Sequence, residues 1–148
     1  VEPNYPNPTI SSGETSSHFL SVGASGWRGA DGLAASFSNY GQSSVDIFAP
    51  GVDIYSTIPN RTYELSNGTS MAAPVVTGVV ALLMNYFPEL SPLEIRDVIM
   101  KSVNKLDTLV PIPGQNESIQ DIPFSSLSIS GGIINAHKAV LEALNRTK

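Results

Sequence analysis

With 148 residues, 41% of them hydrophobic and 14% charged, the chain has enough apolar material for one core of ordinary domain size. A net charge of −5 without any Lys/Arg cluster speaks against neutralising a phosphate backbone, and so against nucleic-acid binding. No cysteine is present, which excludes disulfides and thiolate metal sites. The longest apolar run, Val75 to Met84, is about half of the roughly twenty residues that a membrane span needs.

In chain order, Pro3, Pro6 and Pro8 among Ser, Gly and Thr predict an irregular lead-in over about the first eighteen residues. A first strand is expected at Phe19 to Ala24. The stretch from Ser25 to Leu33, with Gly26, Gly29, Ala30, Asp31 and Gly32, reads as a surface loop. Within it Trp27 is an aromatic anchor that either packs or lines a cleft, packing being the favoured reading. A second strand at Val45 to Phe48 ends at Ala49-Pro50-Gly51, where Pro removes a ladder donor and Gly allows a tight turn. Asp53 to Ile58 and Thr62 to Ser66 look like the arms of a hairpin around Pro59-Asn60.

The hairpin delivers the chain to Asn67-Gly68-Thr69-Ser70-Met71-Ala72-Ala73-Pro74, followed by a helix so apolar that burial on most sides is expected. Further on, Ser91-Pro92-Leu93-Glu94 is a helix start with an N-cap Ser, Pro at the first helical position and Glu at the capping-box position. That helix should run to about Val103, burying Ile95, Val98, Ile99 and Val103 while Arg96, Asp97, Lys101 and Ser102 face water. Lys105 to Ser128, with Pro111, Pro113, Gly114 and Pro123, suggests an extended loop or short hairpin without obvious chemistry. A terminal helix, Asn135 to Leu144, carries Ala136, Ala139, Val140, Ala143 and Leu144 on its buried side. No internal repeat or linker interrupts the chain.

Ser70 is the candidate nucleophile, because a helix start offers unpaired backbone N–H groups and the positive end of the dipole to an oxygen beside it. The bland alternative is a Ser at an N-cap before a core helix. An α/β-hydrolase elbow is disfavoured, since it needs Gly two residues after the Ser and Ala72 stands there. An isolated hydroxyl is a poor nucleophile at neutral pH, so a base is required. The only histidines are His18, in the Ser-rich lead-in, and His137, in the terminal helix. Asp31, Asp46, Asp53 and Glu64 are scattered, and no metal-ligand spacing is seen. Asn60, Asn67, Asn116 and Asn145 head glycosylation sequons in form, read as chance in a Ser/Thr/Asn-rich chain.

Asn67 to Pro74 resembles the nucleophile motif of the subtilisin-like serine proteases, Gly-Thr-Ser-Met-Ala-x-Pro. The resemblance extends, in family order, to Tyr5-Pro6, Phe19 to Ser25, Phe37 to Gly41, Val45 to Gly51, Ile54 to Pro59 and Ser130 to Ala136. It implies an α/β fold in which a mostly parallel sheet is flanked by helices. Residues 1 to 148 would be the C-terminal part of one catalytic domain. By the same resemblance Ser70 is the acyl-enzyme nucleophile and the last member of a triad running Asp, His, Ser, so the first two members are expected upstream of Val1. The chain begins without Met or a signal peptide, as an excised piece would. The oxyanion would be held by the Ser70 N–H together with an upstream Asn side chain, for which Asn4 is not a safe substitute.

Asn67, Gly68 and Thr69 are expected to border the substrate cleft, with Leu65 and Ser66 towards the leaving-group side; Asn67 is equally a turn residue. Neither His18 nor His137 matches the family's catalytic histidine. Val75 stands where the family often has a non-catalytic His. The resemblance implies polypeptide substrates, no cofactor, no metal in this segment, and an extracellular, periplasmic or cell-envelope location. The fragment alone should be inactive, and faces normally covered by the missing part offer a route to self-association. The alternative is a noncatalytic subtilase-like module that binds peptides or proteins.

Overall fold

The computed structural model describes residues 16–27, 32–114 and 121–148. The Pro-rich lead-in before residue 16, Tyr5-Pro6, Asn4, Asp31 and the Asn116 sequon lie outside the described residues.

A four-stranded sheet organises the chain in the order β1 (Val22–Ser25), β2 (Ile47–Pro50), β8 (Gly132–Ile133) and β5 (Asn104–Lys105). The first three strands are parallel and β5 runs antiparallel at the edge. Three helices follow the pattern anticipated: α1 (Thr69–Tyr86), α2 (Pro92–Lys101) and α3 (Ala136–Arg146). The fold is therefore α/β with a mostly parallel sheet. Among the described residues there are also two antiparallel strand pairs, the hairpin of β3 (Ile54–Ile58) with β4 (Thr62–Ser66), and β6 (Leu109–Val110) with β7 (Ile122–Pro123).

β2 shows how alternation builds two cores. Successive side chains point to opposite faces of a sheet, so Ile47 and Ala49 join Ala24, Ala72, Val76, Val79, Leu83, Val98 and Ala139 beneath the helices. Phe48, between them, joins Val45, Val110, Phe124 and Leu127 on the other face. Its ring packs tilted against Phe124 at 4.9 Å between centroids. Gly23, the register partner of Phe48, makes room for that ring: a Cβ there would stand 2.7 Å from it.

Several boundaries moved. The first strand begins at Val22 rather than Phe19, and the second runs on through Pro50. Pro50 is tolerated as the last strand residue, and the ladder is continued by the Gly51 N–H donating to the Ser25 carbonyl at 2.9 Å. The capping box of α2 is present as expected, the Ser91 side chain accepting from the Glu94 N–H while the Glu94 carboxylate accepts from the Ser91 N–H at 2.8 Å. The Ser91 hydroxyl, donating to the same carboxylate at 2.7 Å, and then the Ser91 N–H hold the Glu94 carboxyl below its ordinary value. α3 begins one residue later than expected, with the Asn135 side chain capping it by accepting from the Lys138 N–H. It buries Ala139 and Ala143, while Ala136 and Leu144 are exposed.

The expected burial of the apolar helix on most sides is not found. α1 buries Ala72, Val76, Val79 and Leu83, a single stripe at spacings of four, three and four, against β1 and β2. Leu82, Met84 and Tyr86 are exposed, and a Cβ added at Gly78 would meet nothing within 4 Å. Composition alone makes α1 long and apolar enough to cross a membrane. Its stripe packed on a sheet is the signature of a core helix. The helix is apolar on its open side too, and no described element reaches that side.

Helical spacing predicts Arg96 and Ser102 on the water-facing side of α2, and the structure differs for both. Ser102 is buried, its hydroxyl donating to the Ile99 carbonyl. Arg96 reaches back to the sheet, its guanidinium donating to the buried Asp46 carboxylate at 2.6 Å and to the Phe19 carbonyl at 3.2 Å. The other Asp46 oxygen accepts from the Ser21 N–H at 2.7 Å. A buried carboxylate without its cation is costly, so Arg96→Met should lower stability by about 2 kcal/mol, read as a reduced urea midpoint at unchanged slope.

A second staple joins α2 to α3, where Asp97 accepts from Lys101 and from Arg146, each at 2.7 Å. The Lys101 ammonium, then the Arg146 guanidinium, holds the Asp97 carboxyl below its ordinary value of 3.8. A depressed folded-state value contributes stability above the ordinary value, and that stability is lost as pH falls through the folded value. Asp97→Asn should therefore be the less stable protein at neutral pH, and the difference should vanish on acidification; equal midpoints at both pH values would contradict this. Because the carboxylate is 42% exposed, the effect is small.

Candidate active site

The turn that carries Ser70 is fastened to the carboxyl ends of β1 and β2. Gly51, directly after β2, receives the Gly68 N–H at its carbonyl, 2.8 Å away. A Cβ on Gly51 would stand 2.7 Å from the Ala24 Cβ, 2.7 Å from the Gly68 carbonyl oxygen and 3.2 Å from the Ala72 Cβ. Gly51 thus permits strand end and helix start to touch. Gly51 is not among the residues of positive φ, so the requirement for glycine after Pro50 is steric rather than the conformational one a tight turn suggests.

Asn67 adds a second tie. Its Oδ1 accepts from the Asp53 N–H at 2.6 Å, and Asp53 has φ 55°, the left-handed region. This is the turn role weighed from the sequence, and it aligns the end of β4 with the loop after β2. A third tie lies below: the buried Ser38 hydroxyl accepts from the Ala24 N–H at 2.9 Å and donates to the Asn39 carbonyl at 2.8 Å. The Phe37-Ser38-Asn39 block is thereby locked to β1.

α1 opens after Gly68 with no side-chain cap. The Met71 N–H donates to the Gly68 carbonyl at 3.0 Å, and the Ala72 N–H to the same oxygen at 3.3 Å. Among the described residues neither the Thr69 nor the Ser70 N–H has a backbone acceptor, so both remain available to an incoming oxygen at the positive end of the helix. Ser70, the second residue of the helix, is exposed; Gly68 and Thr69 are half-buried beside it. The hydroxyl makes no hydrogen bond to another described side chain. His18 is exposed near the start of the described chain, its N–H donating to the Ser16 hydroxyl, and His137 is exposed on the first turn of α3. No hydrogen bond joins either to Ser70 among the described residues. Val75 is partly buried and packs against the main core, so the side chain standing at the family's His position serves packing.

Trp27 overturns the favoured packing reading. It is 70% exposed and, with Phe37, Val52 and Asn67, lines a cavity of about 310 Å³ beside the Ser70 turn. Residues distant in sequence build this cavity, and no local signal beyond an isolated aromatic in a Gly-rich loop pointed to it. Among the described residues no group of three His, Cys, Asp or Glu side chains stands close enough to hold a metal ion.

A helix opening directly from a Gly-Thr-Ser turn at the carboxyl ends of parallel strands defines a subtilisin-like α/β protein. The sequence pattern of the subtilase family matches residues 4–120. The chain belongs to the subtilase family. Subtilisin-like protease 2 of Plasmodium falciparum is 39% identical over 114 residues, covering 73% of this chain and 7% of that protein. Subtilisin DY of Bacillus licheniformis is 43% identical over 72 residues, 49% of this chain and 26% of that protein. Among solved structures, the prenylagaramide maturation protease PagA aligns with a TM-score of 0.61 at 27% identity, over 84% of this chain and 42% of its own. Fervidolysin from Fervidobacterium pennivorans, a keratinolytic enzyme related to subtilisin, aligns with a TM-score of 0.60 at 28% identity, over 84% and 19%. The chain therefore spans only a minor part of each of these proteins.

The steric reading of Gly51 is directly testable. Gly51→Ala should cost about 1–3 kcal/mol, measured by thermal or urea unfolding, because the new methyl overpacks a contact between backbone and two alanines; unchanged stability would mean that the strand end and helix start can separate freely.

Proposed function

We propose that this chain is the nucleophile-bearing part of a subtilisin-type serine endopeptidase, with Ser70 as the residue acylated by the substrate. The observation that carries the reading is the exposed Ser70 on the first turn of α1, beside two backbone N–H groups without backbone acceptors, in a chain of the subtilase family. The Ser70 hydroxyl attacks a peptide carbonyl while a histidine accepts its proton. The carbonyl oxygen becomes an oxyanion held by the Ser70 N–H. Collapse expels the amine, protonated by the same histidine, and water then hydrolyses the acyl-enzyme.

Neither His18 nor His137 bonds Ser70 among the described residues, which supports a histidine supplied by another segment, and the family resemblance assigns the aspartate and the second oxyanion donor, an asparagine, to that segment as well. Gly68 and Thr69 leave space for the substrate backbone, and Asn67 keeps the turn in register. The substrates are polypeptides, and the site of action is outside the cytoplasm, a reading supported by the likeness to a keratinolytic enzyme, since keratin is an extracellular-facing substrate for a microbe. The open face of α1, with Leu82, Met84 and Tyr86, is covered in this account by the remainder of the catalytic domain. Without that cover the chain self-associates, which sedimentation at rising concentration would register; a monomer throughout would count against it.

In a protein that joins this chain to the preceding part of a catalytic domain, Ser70→Ala should reduce kcat on a peptide substrate by about a millionfold, because triad members act as a unit. The 148-residue chain alone should show no turnover. Full activity of Ser70→Ala in the longer protein would transfer the chemistry elsewhere and leave a peptide-binding module as the better account.

A further inference from the structure

We infer that Phe124 is a positioning residue for the cavity wall beside Ser70, acting through Phe48 and Ala34 although it lies outside the lining itself. The inference rests on the endopeptidase reading for what the wall meets, a polypeptide, and on packing for how the wall is held. It gives a role to the stretch from Lys105 to Ser128, whose sequence carries no obvious chemistry.

Three residues of that stretch, Val110, Phe124 and Leu127, are fully buried with Val45, Phe48 and Ala34 on the sheet face opposite α1. Ala34 is the residue common to this back core and to the cavity lining. Its neighbour Ala35 also lines the cavity but belongs to the main core beneath the helices. The wall is therefore one stretch of backbone strung between two cores, with Phe124 and the Phe48 ring behind it, 4.9 Å apart between centroids.

Hydrogen bonds tie the same backbone at several points. The Ala35 N–H donates to the Ala24 carbonyl at 3.1 Å, and the Ser38 hydroxyl accepts from the Ala24 N–H. Further along, the Gly41 N–H donates to the Leu127 carbonyl at 2.7 Å, while the Leu127 N–H donates to the Phe124 carbonyl at 3.0 Å. One short turn thus supplies both a ring to the back core and an acceptor to the end of the wall. Leu33 and Tyr40, at either end of the wall, pack against that core too.

Ser70 is placed from the other face of the sheet, where Ile47, Ala49 and Ala24 meet α1 and Gly51 admits Ala72. Interiors are close-packed, so a lost ring is felt first by the groups that touch it. Shortening Phe124 loosens the wall and leaves the Ser70 turn in place.

In the protein that joins this chain to the preceding part of a catalytic domain, Phe124→Leu should raise KM for a blocked hexapeptide by about tenfold. Its kcat, and the rate at which a fluorophosphonate labels Ser70, should change by less than about twofold. Val98→Ala, in the main core on α2, is the control for stability alone: it should lower the urea midpoint and leave KM unchanged. Independently of catalysis, amide exchange read by mass spectrometry should quicken about tenfold across residues 33–41 in Phe124→Leu and stay unchanged across residues 66–73. Circular dichroism checks that each variant is folded, and Phe124→Met, which refills the space with a flexible chain, is read in the same way if Phe124→Leu is not.

Exchange that quickens equally in both stretches, or in neither, would overturn the positioning role. So would an unchanged KM in a variant that still turns over, or a KM raised as much by Val98→Ala. Selective exchange in a longer protein that neither cleaves nor labels would separate the two readings, retaining Phe124 as the support of the wall and removing the peptidase.

Discussion

The arrangement around Ser70 depends on the contact that the bare Cα of Gly51 makes possible. Strand β2 ends, the chain turns without a side chain, and the Gly51 carbonyl accepts the Gly68 N–H. Ala24 and Ala72 close on the same point from the sheet and from the helix. Any larger residue at 51 would push α1 off the sheet and move Ser70 with it. The position of Ser70 is thus set by the absence of a methyl group nineteen residues earlier in the chain, and Asn67 and Asp53 then keep the intervening hairpin in register.

Polar staples hold the layers that carry this contact. The buried Asp46 joins the start of β1, the start of β2 and α2 by accepting from the Ser21 N–H and from Arg96. Asp97 joins α2 to α3 through Arg146. The first matters more, because its carboxylate is withdrawn from water and its partners are fixed, whereas the second is screened by solvent. Neither lies at the site. They tie together the sheet and helices on which the start of α1, with its two N–H groups lacking backbone acceptors, is placed.

Much of this was legible in the sequence, for local reasons. The capping box at Ser91 and Glu94, the hairpin around Pro59-Asn60 and the buried face of α2 each follow from residues within one or two turns of one another. The long motif at Asn67 to Pro74 is contiguous and identifies the family by itself. What escaped the sequence was what depends on distant pairings. Asp46 looked like one scattered carboxylate until Arg96, fifty residues on, reached it. Gly51 looked like a turn former, when its constraint is set by Ala24 and Ala72. Trp27 gave no sign that its neighbours would be Phe37, Val52 and Asn67. α1 misled in the opposite direction, because an all-round apolar helix predicts all-round burial, and among the described residues the sheet covers one stripe.

The central claim is that Ser70 is a nucleophile made reactive by groups that this chain does not itself bring to it. Covalent labelling by a fluorophosphonate probe, with the modified residue located by peptide mass spectrometry, tests it most directly. The account predicts labelling at Ser70 in a protein that joins this chain to the preceding part of a catalytic domain, and none in the isolated chain or in Ser70→Ala. Absence of label from the longer, folded protein, or label on any other residue, would contradict it.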